Sequence, residues 1–272
     1  MTLTSLQPAA SALTWVPGVR AGVAPLRVEP LLGGSVNESW RVDTDQGRFV
    51  LRIDGPSWRR PGVDREREQL LHEAAARGGL APRLLLRAAA EGVQVCEYLE
   101  GRSWTPADFQ QPTQLRRLGE RLARLHALTA PEGILPFDPL ACAREYVACL
   151  GAEAAARPEA GALVASIHAA AGQVAQGTLE LSIVHGDLAH ANVLDGTELW
   201  LLDWEYSQLA DPLYDVACVL AYYPQAQPHA DAFLAAAGLA GTGRGERLMA
   251  AVAVYRGLSE LWHMARSQAP AV

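Results

Sequence analysis

Hydrophobic periodicity changes once along this chain of 272 residues, near positions 97–101, and that change limits the folds open to it. Before it, apolar residues alternate or cluster in short runs; after it they recur at spacings of three and four. The first run, over 31–42, breaks at Gly33-Gly34 and resumes through Trp40 and Val42. A hairpin turn follows at 43–47, then strands over 48–53, 84–86 and 93–98, the last two around Glu91-Gly92. One helix interrupts them at 64–77, with Leu70, Leu71, Ala74 and Ala75 on one face and Gly78-Gly79 at its end. Beyond the change, Thr113 is placed to cap a helix carrying Leu115, Leu118, Leu122, Leu125 and Leu128. Further helices are predicted over 142–155, 161–174, 212–222, 230–237 and 245–266, with short strands and loops over 183–202. The expectation is an α+β chain of two lobes, an antiparallel-sheet N-lobe over 1–97 and a larger, mainly helical C-lobe over 98–272, with residues 1–20 loosely attached. A cleft between two lobes is the natural ligand site.

Composition narrows the chemistry. Half the residues are apolar, enough for a real core. The net charge is −7 and the basic residues are scattered, which argues against nucleic acid as a partner and is permissive for a cationic ligand. No basic stretch precedes an apolar run at the N-terminus, and no segment reaches the ~18 apolar residues of a membrane span, so the expectation is a cytoplasmic chain without a membrane partner. All 23 basic residues are arginine and none is lysine. Schiff-base chemistry and a Walker A loop both require lysine and are therefore excluded. Cys96, Cys142, Cys149 and Cys218 lack metal-like spacing and read as small buried residues.

Two segments carry chemistry: Val184-His185-Gly186-Asp187-Leu188-Ala189-His190-Ala191-Asn192-Val193-Leu194 and Leu201-Leu202-Asp203-Trp204-Glu205-Tyr206. Each is a short apolar strand ending in a polar loop, which brings three oxygen-bearing side chains to one edge. Phosphoryl transfer needs a group to orient an acceptor hydroxyl and take its proton, and metal ions to offset phosphate charge. Asp187 suits the first role, and Asn192 and Asp203 supply the hard oxygens that Mg²⁺ prefers. Taken alone, an aspartate after a strand is also a common turn former, and His185, Asp187 and His190 imitate a metal site.

HGDLAHANVL and LLDWEY resemble the catalytic and metal-binding loops of the aminoglycoside phosphotransferase/choline kinase superfamily, which has a protein-kinase-like bilobal fold. The likeness extends over roughly residues 25–265, with LLGGSVNESWRV similar to the first strand, phosphate loop and second strand, RFVLRI to the third strand, EYLEG to the interlobe hinge and DPLYDVA to the helix after the metal loop. The resemblance implies ATP and Mg²⁺ as cofactors, Asp187 as catalytic base, and Asn192 and Asp203 as metal ligands. It implies Gly33, Gly34, Ser35 and Asn37 over the phosphates, Arg52 on the α/β-phosphates with Glu68 as its helix partner, and Glu97 and Tyr98 at the nucleotide hinge. Lysine is usual where this chain has Arg52, although arginine is familiar there among choline- and thiamine-kinase-like members. His185 is expected to prop the catalytic loop, His126 to be a satisfied core histidine, and Asp215 to brace loops.

DWEY and the tryptophan-bearing helix 255–262 are closer to choline- and thiamine-kinase-like enzymes than to antibiotic kinases, implying a small cationic alcohol as acceptor. Aromatic faces and carboxylates suit such a cation, and Glu205, Tyr206 and Trp262 are the candidate substrate residues. The other readings are an aminoglycoside or amino-sugar kinase and a non-catalytic nucleotide-binding module. The latter is disfavoured because Asp187 and Asp203 are both present. The glycine run 241–245 lacks the strand that a dinucleotide fold requires.

Overall fold

The computed structural model describes residues 8–20, 22–31, 37–55, 62–150, 152–176, 181–241 and 244–267. A short helix, α1 (Ala10–Leu13), precedes strands β1 (Arg27–Leu31), β2 (Glu38–Thr44) and β3 (Gly47–Ile53). Helix α2 (Arg65–Arg77) then leads to β4 (Leu84–Ala88) and β5 (Val93–Glu97). These strands form one antiparallel sheet in the order β1-β2-β3-β5-β4. Alternation gives the sheet two different faces. Trp40, Val42, Phe49, Leu51, Val93 and Val95 pack on Ala12 and Val16. The opposite face of β3 and β5 carries Val50 and Arg52 in register with Cys96 and Gln94, and all four line a cleft.

The remaining elements are β6 (Arg102–Ser103), α3 (Pro112–His126), α4 (Pro139–Ala148), α5 (Ala152–Ala155), α6 (Pro158–Val174), β7 (Ser182–Val184), β8 (Val193–Asp195), β9 (Leu199–Leu201), β10 (Gln208–Ala210), α7 (Leu213–Tyr222), α8 (Ala230–Ala236) and α9 (Arg244–Ser267). Helix α9 packs against α4, α6 and α7, and α3 against α8. The leucine stripe of α3 (Leu115, Leu118, Leu122 and Leu125) is fully buried in this core. Two small sheets, β6-β8-β9 and β10-β7, lie on the cleft side of the helices. The α+β expectation, a sheet followed by a mainly helical region, holds. Among the described residues no helix is long and apolar enough to cross a membrane.

Several local expectations are corrected. Helix α3 starts at Pro112 after Gln111, not at a Thr113 cap, because proline needs no N–H partner and has its φ already set for a first turn. The helix expected over 142–155 begins earlier, at Pro139, where Asp138 accepts hydrogen bonds from Leu140 N and Ala141 N; it stops at Ala148, and α5 is separate. The described residues 10–16 are not loosely attached, since Ala12 and Val16 are buried against the sheet. Cys149 is exposed, whereas Cys96 and Cys218 are buried.

His72, on the buried face of α2, joins the sheet side to the helical region. Its ring stacks on Trp204 with centroids 6.1 Å apart, and its Nε2 lies 2.8 Å from the Pro82 carbonyl oxygen. Burial, partly offset by that hydrogen bond, pushes its pKa down to about 4. The folded protein therefore holds the neutral ring, while the unfolded chain takes up a proton below pH ~6.5. His72's contribution to stability is complete above that pH and is lost as pH falls towards 4, by at most about 3 kcal/mol. Urea unfolding between pH 7 and 4.5 is expected to show this decline, and His72→Gln to make it shallower; an equal slope in the variant would assign it elsewhere.

Candidate active site

Asp187 and Asn192 lie on the loop between β7 and β8, Asp203 and Glu205 on the loop between β9 and β10. The two loops are held in contact by their backbones and by one histidine. Leu202 N donates to Asn192 O at 2.8 Å, and His185 Nε2 meets Leu202 O at 2.9 Å. The Nδ1 of His185 accepts from Asp187 N at 3.3 Å, so both ring nitrogens serve the loops, and burial lowers the pKa of this ring. Gly186 has φ +74°, and a Cβ there would meet Tyr206 O at 2.4 Å, so only glycine lets the loops approach this closely.

Asp215, fully buried on α7, braces the loop that carries Asp187 from below. Its Oδ2 accepts from His185 N at 3.2 Å and meets His126 Nε2 at 2.9 Å; its Oδ1 accepts from Gly186 N at 3.0 Å. Above them the Asp187 carboxylate receives the Tyr222 hydroxyl at 3.0 Å on Oδ1 and Asn192 Nδ2 at 2.9 Å on Oδ2. Burial pushes the Asp187 pKa up to about 6; the Tyr222 bond opposes the rise, the Glu205 charge adds to it, and the Asn192 bond opposes it. With its nitrogen committed to Asp187, Asn192 has its amide oxygen as the remaining polar end.

Asp203 occupies the left-handed region, φ 61°, a conformation that aspartate tolerates better than most residues. Its side chain is 35% exposed to the cleft. The surrounding protein and the Glu205 charge raise its pKa, against the pull of Arg52. Arg52 bridges the cleft: Nη2 lies 2.5 Å from Glu68 Oε1, Nη1 3.3 Å from Asp203 Oδ1 and Nε 3.3 Å from Asp54 Oδ1. Glu68 is the helix partner expected for Arg52, buried behind it on α2. Arg87 closes the back of the group against Asp54 at 2.6 Å.

One cavity of about 840 Å³ joins these groups. Asn37, Arg52, Glu97, Tyr98, Asp187, Asn192, Asp203, Glu205, Tyr206 and Trp262 all line it. Gly33, Gly34 and Ser35 lie outside the described residues. At one end, Glu97 Oε1 accepts from Arg83 N at 2.7 Å, and the Tyr98 ring lies under the guanidinium of Arg41 at 4.5 Å and that of Arg48 at 5.8 Å. At the other, Trp262 Nε1 donates to Tyr206 OH at 3.0 Å, while Tyr255 OH donates to Gly186 O at 2.5 Å and packs edge-on against Tyr222. Glu205 Oε2 accepts from Asn37 Nδ2 at 3.1 Å and from Arg65 Nη1 at 3.2 Å. Arg65, Asp54 and Arg87, and the Tyr222 bond to Asp187, were not visible in the sequence, because their contacts join segments far apart in the chain.

A sequence profile described as the phosphotransferase enzyme family matches residues 27–252, most of the chain. The chain belongs to this phosphotransferase family, whose members are small-molecule kinases. Protein LicA of Haemophilus influenzae is 27% identical over 195 residues, a match covering 70% of this chain and 56% of that protein, little more than half its length. Among solved structures, a choline/ethanolamine kinase family protein from Mesorhizobium loti is similar with a TM-score of 0.74 at 25% identity, over 96% of this chain and 87% of that one. Choline kinase LicA from Streptococcus pneumoniae gives 0.76 at 19% identity, over 91% and 88%. A LicA structure in complex with AMP gives 0.71 at 18%, over 91% and 87%; at these identities the last two show the fold.

Asp215→Ala is expected to leave two buried N–H groups without an acceptor, at about 1–3 kcal/mol each. Urea unfolding should register a loss of at least about 2 kcal/mol, with activity falling as Asp187 loses its support. A variant as stable and active as the parent would show that Asp215 does not hold the loop.

Proposed function

We propose that the protein transfers the γ-phosphoryl group of ATP to the hydroxyl of a small cationic alcohol, of the choline, ethanolamine or thiamine kind, in the cleft between lobes 1–97 and 98–272. The observation that carries this reading is the joining, in one cavity, of an Asp187–Asn192–Asp203 corner, of Arg52 with Glu68 buried behind it, and of an aromatic chamber. Asp187 orients the acceptor hydroxyl and takes its proton, a role suited to a carboxylate whose pKa is raised towards neutrality. Arg52 grips the α/β-phosphates, Asn37 and the glycine loop cover them, and Glu97 and Tyr98 border the nucleoside end.

The donor set fits Mg²⁺. Asn192 offers an amide oxygen and Asp203 a carboxylate, the hard ligands that this ion takes. Around them three guanidiniums, of Arg52, Arg65 and Arg87, face five carboxylates, of Asp54, Glu68, Asp187, Asp203 and Glu205, so a cation balances the local charge. Asn37 Oδ1 is also buried without a hydrogen-bond partner among the described residues. Bound there, the metal would offset charge on the transferring phosphate oxygens.

For the acceptor, Tyr206, Trp262, Tyr222 and Tyr255 supply ring faces beside Asp187. The relatives named choline kinases support a quaternary or primary ammonium as the group those faces hold. An aminoglycoside or amino-sugar acceptor is the second reading; it would call for more carboxylates than this aromatic end carries.

Asp187→Asn is expected to leave ATP affinity within threefold while kcat falls by ~10²–10⁴. Calorimetry and steady-state rates would measure both, and turnover within threefold of wild type would remove Asp187 from the mechanism. A panel of acceptors with Mg²⁺ and ATP tests the substrate class. Choline should be better than its neutral isostere 3,3-dimethylbutanol by ~2- to 30-fold, the worth of a cation over an aromatic face. Thiamine and an aminoglycoside belong in the same panel, and neutral polyols outperforming every cation would overturn the cationic class.

A further inference from the structure

Arg65 lies on the first turn of α2, three residues before Glu68, and its side chain is only 8% exposed. Its guanidinium meets three carboxylates from three parts of the chain. Nη1 is 2.7 Å from Glu68 Oε2 and 3.2 Å from Glu205 Oε2, and Nη2 is 3.3 Å from Asp54 Oδ1. The same Glu205 oxygen accepts from Asn37 Nδ2, at the end of the phosphate loop. Glu205 is 6% exposed and Glu68 1%, so water has little access to stand in for a missing partner. Both oxygens of Glu68 are thereby committed, Oε1 to Arg52 and Oε2 to Arg65.

We propose that Arg65 is a positioning residue for phosphoryl transfer, and that Glu205 acts with it and Asn37 as a latch from α2 and the phosphate loop to the metal loop, not as an acceptor contact. This rests on the phosphotransfer reading above. Glu205 is two residues from Asp203, so fixing its carboxylate fixes the backbone that presents Asp203. On the other side Arg65 fixes Glu68, which aims Arg52. One planar fork therefore sets the separation between the phosphate-gripping arginine and the metal-loop aspartate. It also spares Arg52 from neutralising Glu205: without Arg65 the charge of Glu205 would draw Arg52 away from Glu68 and towards the metal loop. A lysine cannot replace it, because a single ammonium does not reach three carboxylates with the geometry of a guanidinium.

Arg65→Met, Arg65→Lys, Glu205→Gln and the Arg65→Met/Glu205→Gln double variant test this by two readouts. Calorimetric titration with Mg-ATP is expected to show about tenfold weaker binding in each single variant, little recovery in Arg65→Lys, and a double variant no worse than the weaker single. Steady-state kinetics should show acceptor KM within twofold of wild type throughout. Losses that multiply in the double variant, wild-type behaviour of Arg65→Lys, or a rise in acceptor KM with unchanged Mg-ATP binding in Glu205→Gln would each overturn the latch. If Arg65→Met does not fold, Glu205→Gln alone decides, because it preserves shape and removes only the charge that Arg65 meets. A wild-type protein that binds Mg-ATP but phosphorylates no acceptor would defeat the phosphotransfer reading instead, leaving the binding arm to judge Arg65.

Discussion

A guanidinium kept in the interior stays charged only where carboxylates meet it, and that requirement organises the cleft. Arg52 stands on the middle strand of the sheet, 7% exposed, with its pKa raised by Glu68, Asp203 and Asp54 in spite of burial. Those three partners come from α2, from the loop between β9 and β10 and from the end of β3. Neutralising one cation thus ties the sheet by charge to two segments, α2 and the β9–β10 loop, that also pack together through His72 and Trp204. Removing one member strands the others, because a buried charge that loses its partner costs more than the pair contributed. The absence of lysine suits the arrangement, since a planar fork with five donors serves several carboxylates at once.

The corner around Asp187 is set by a second, mostly neutral network. Asp187 is gripped on both oxygens, by Tyr222 and Asn192, and its loop is held from beneath by Asp215 and from the side by His185. Every one of these partners is on a short connection or at the end of a helix, yet the loops are not loose. Their backbone groups are satisfied by buried side chains that are themselves anchored in the helical core.

What the sequence revealed and what it hid follow from distance along the chain. Asp187, Asn192 and Asp203 were legible because two local segments carry them at fixed spacing, and Arg52 because RFVLRI resembles the family's third strand. Asp138-Pro139 is an equally local helix start and was passed over for the apolar run that follows it. Arg65 was invisible for a different reason. It falls on a charged first turn, REREQ, in which only Glu68 had an expected partner, and Glu205 reaches it from 140 positions away. Nothing near Tyr222 in sequence announces Asp187 either. Glu205 lines the cavity, and its Oε2 also meets Asn37 and Arg65, contacts that its place in the DWEY segment did not announce.

The close passage of Gly186 beneath the Tyr206 carbonyl bears on how such a protein can be altered. The two loops are in backbone contact, which ties Asp187 to Asp203, whereas the side chains of Tyr206 and Trp262 meet each other at the rim, Trp262 Nε1 donating to Tyr206 OH. On the proposed reading, replacing that pair would recut the acceptor chamber while the loops beneath keep their spacing. Acceptor choice and transfer chemistry would then be separable, and laboratory selection for a new acceptor could work on the rim alone.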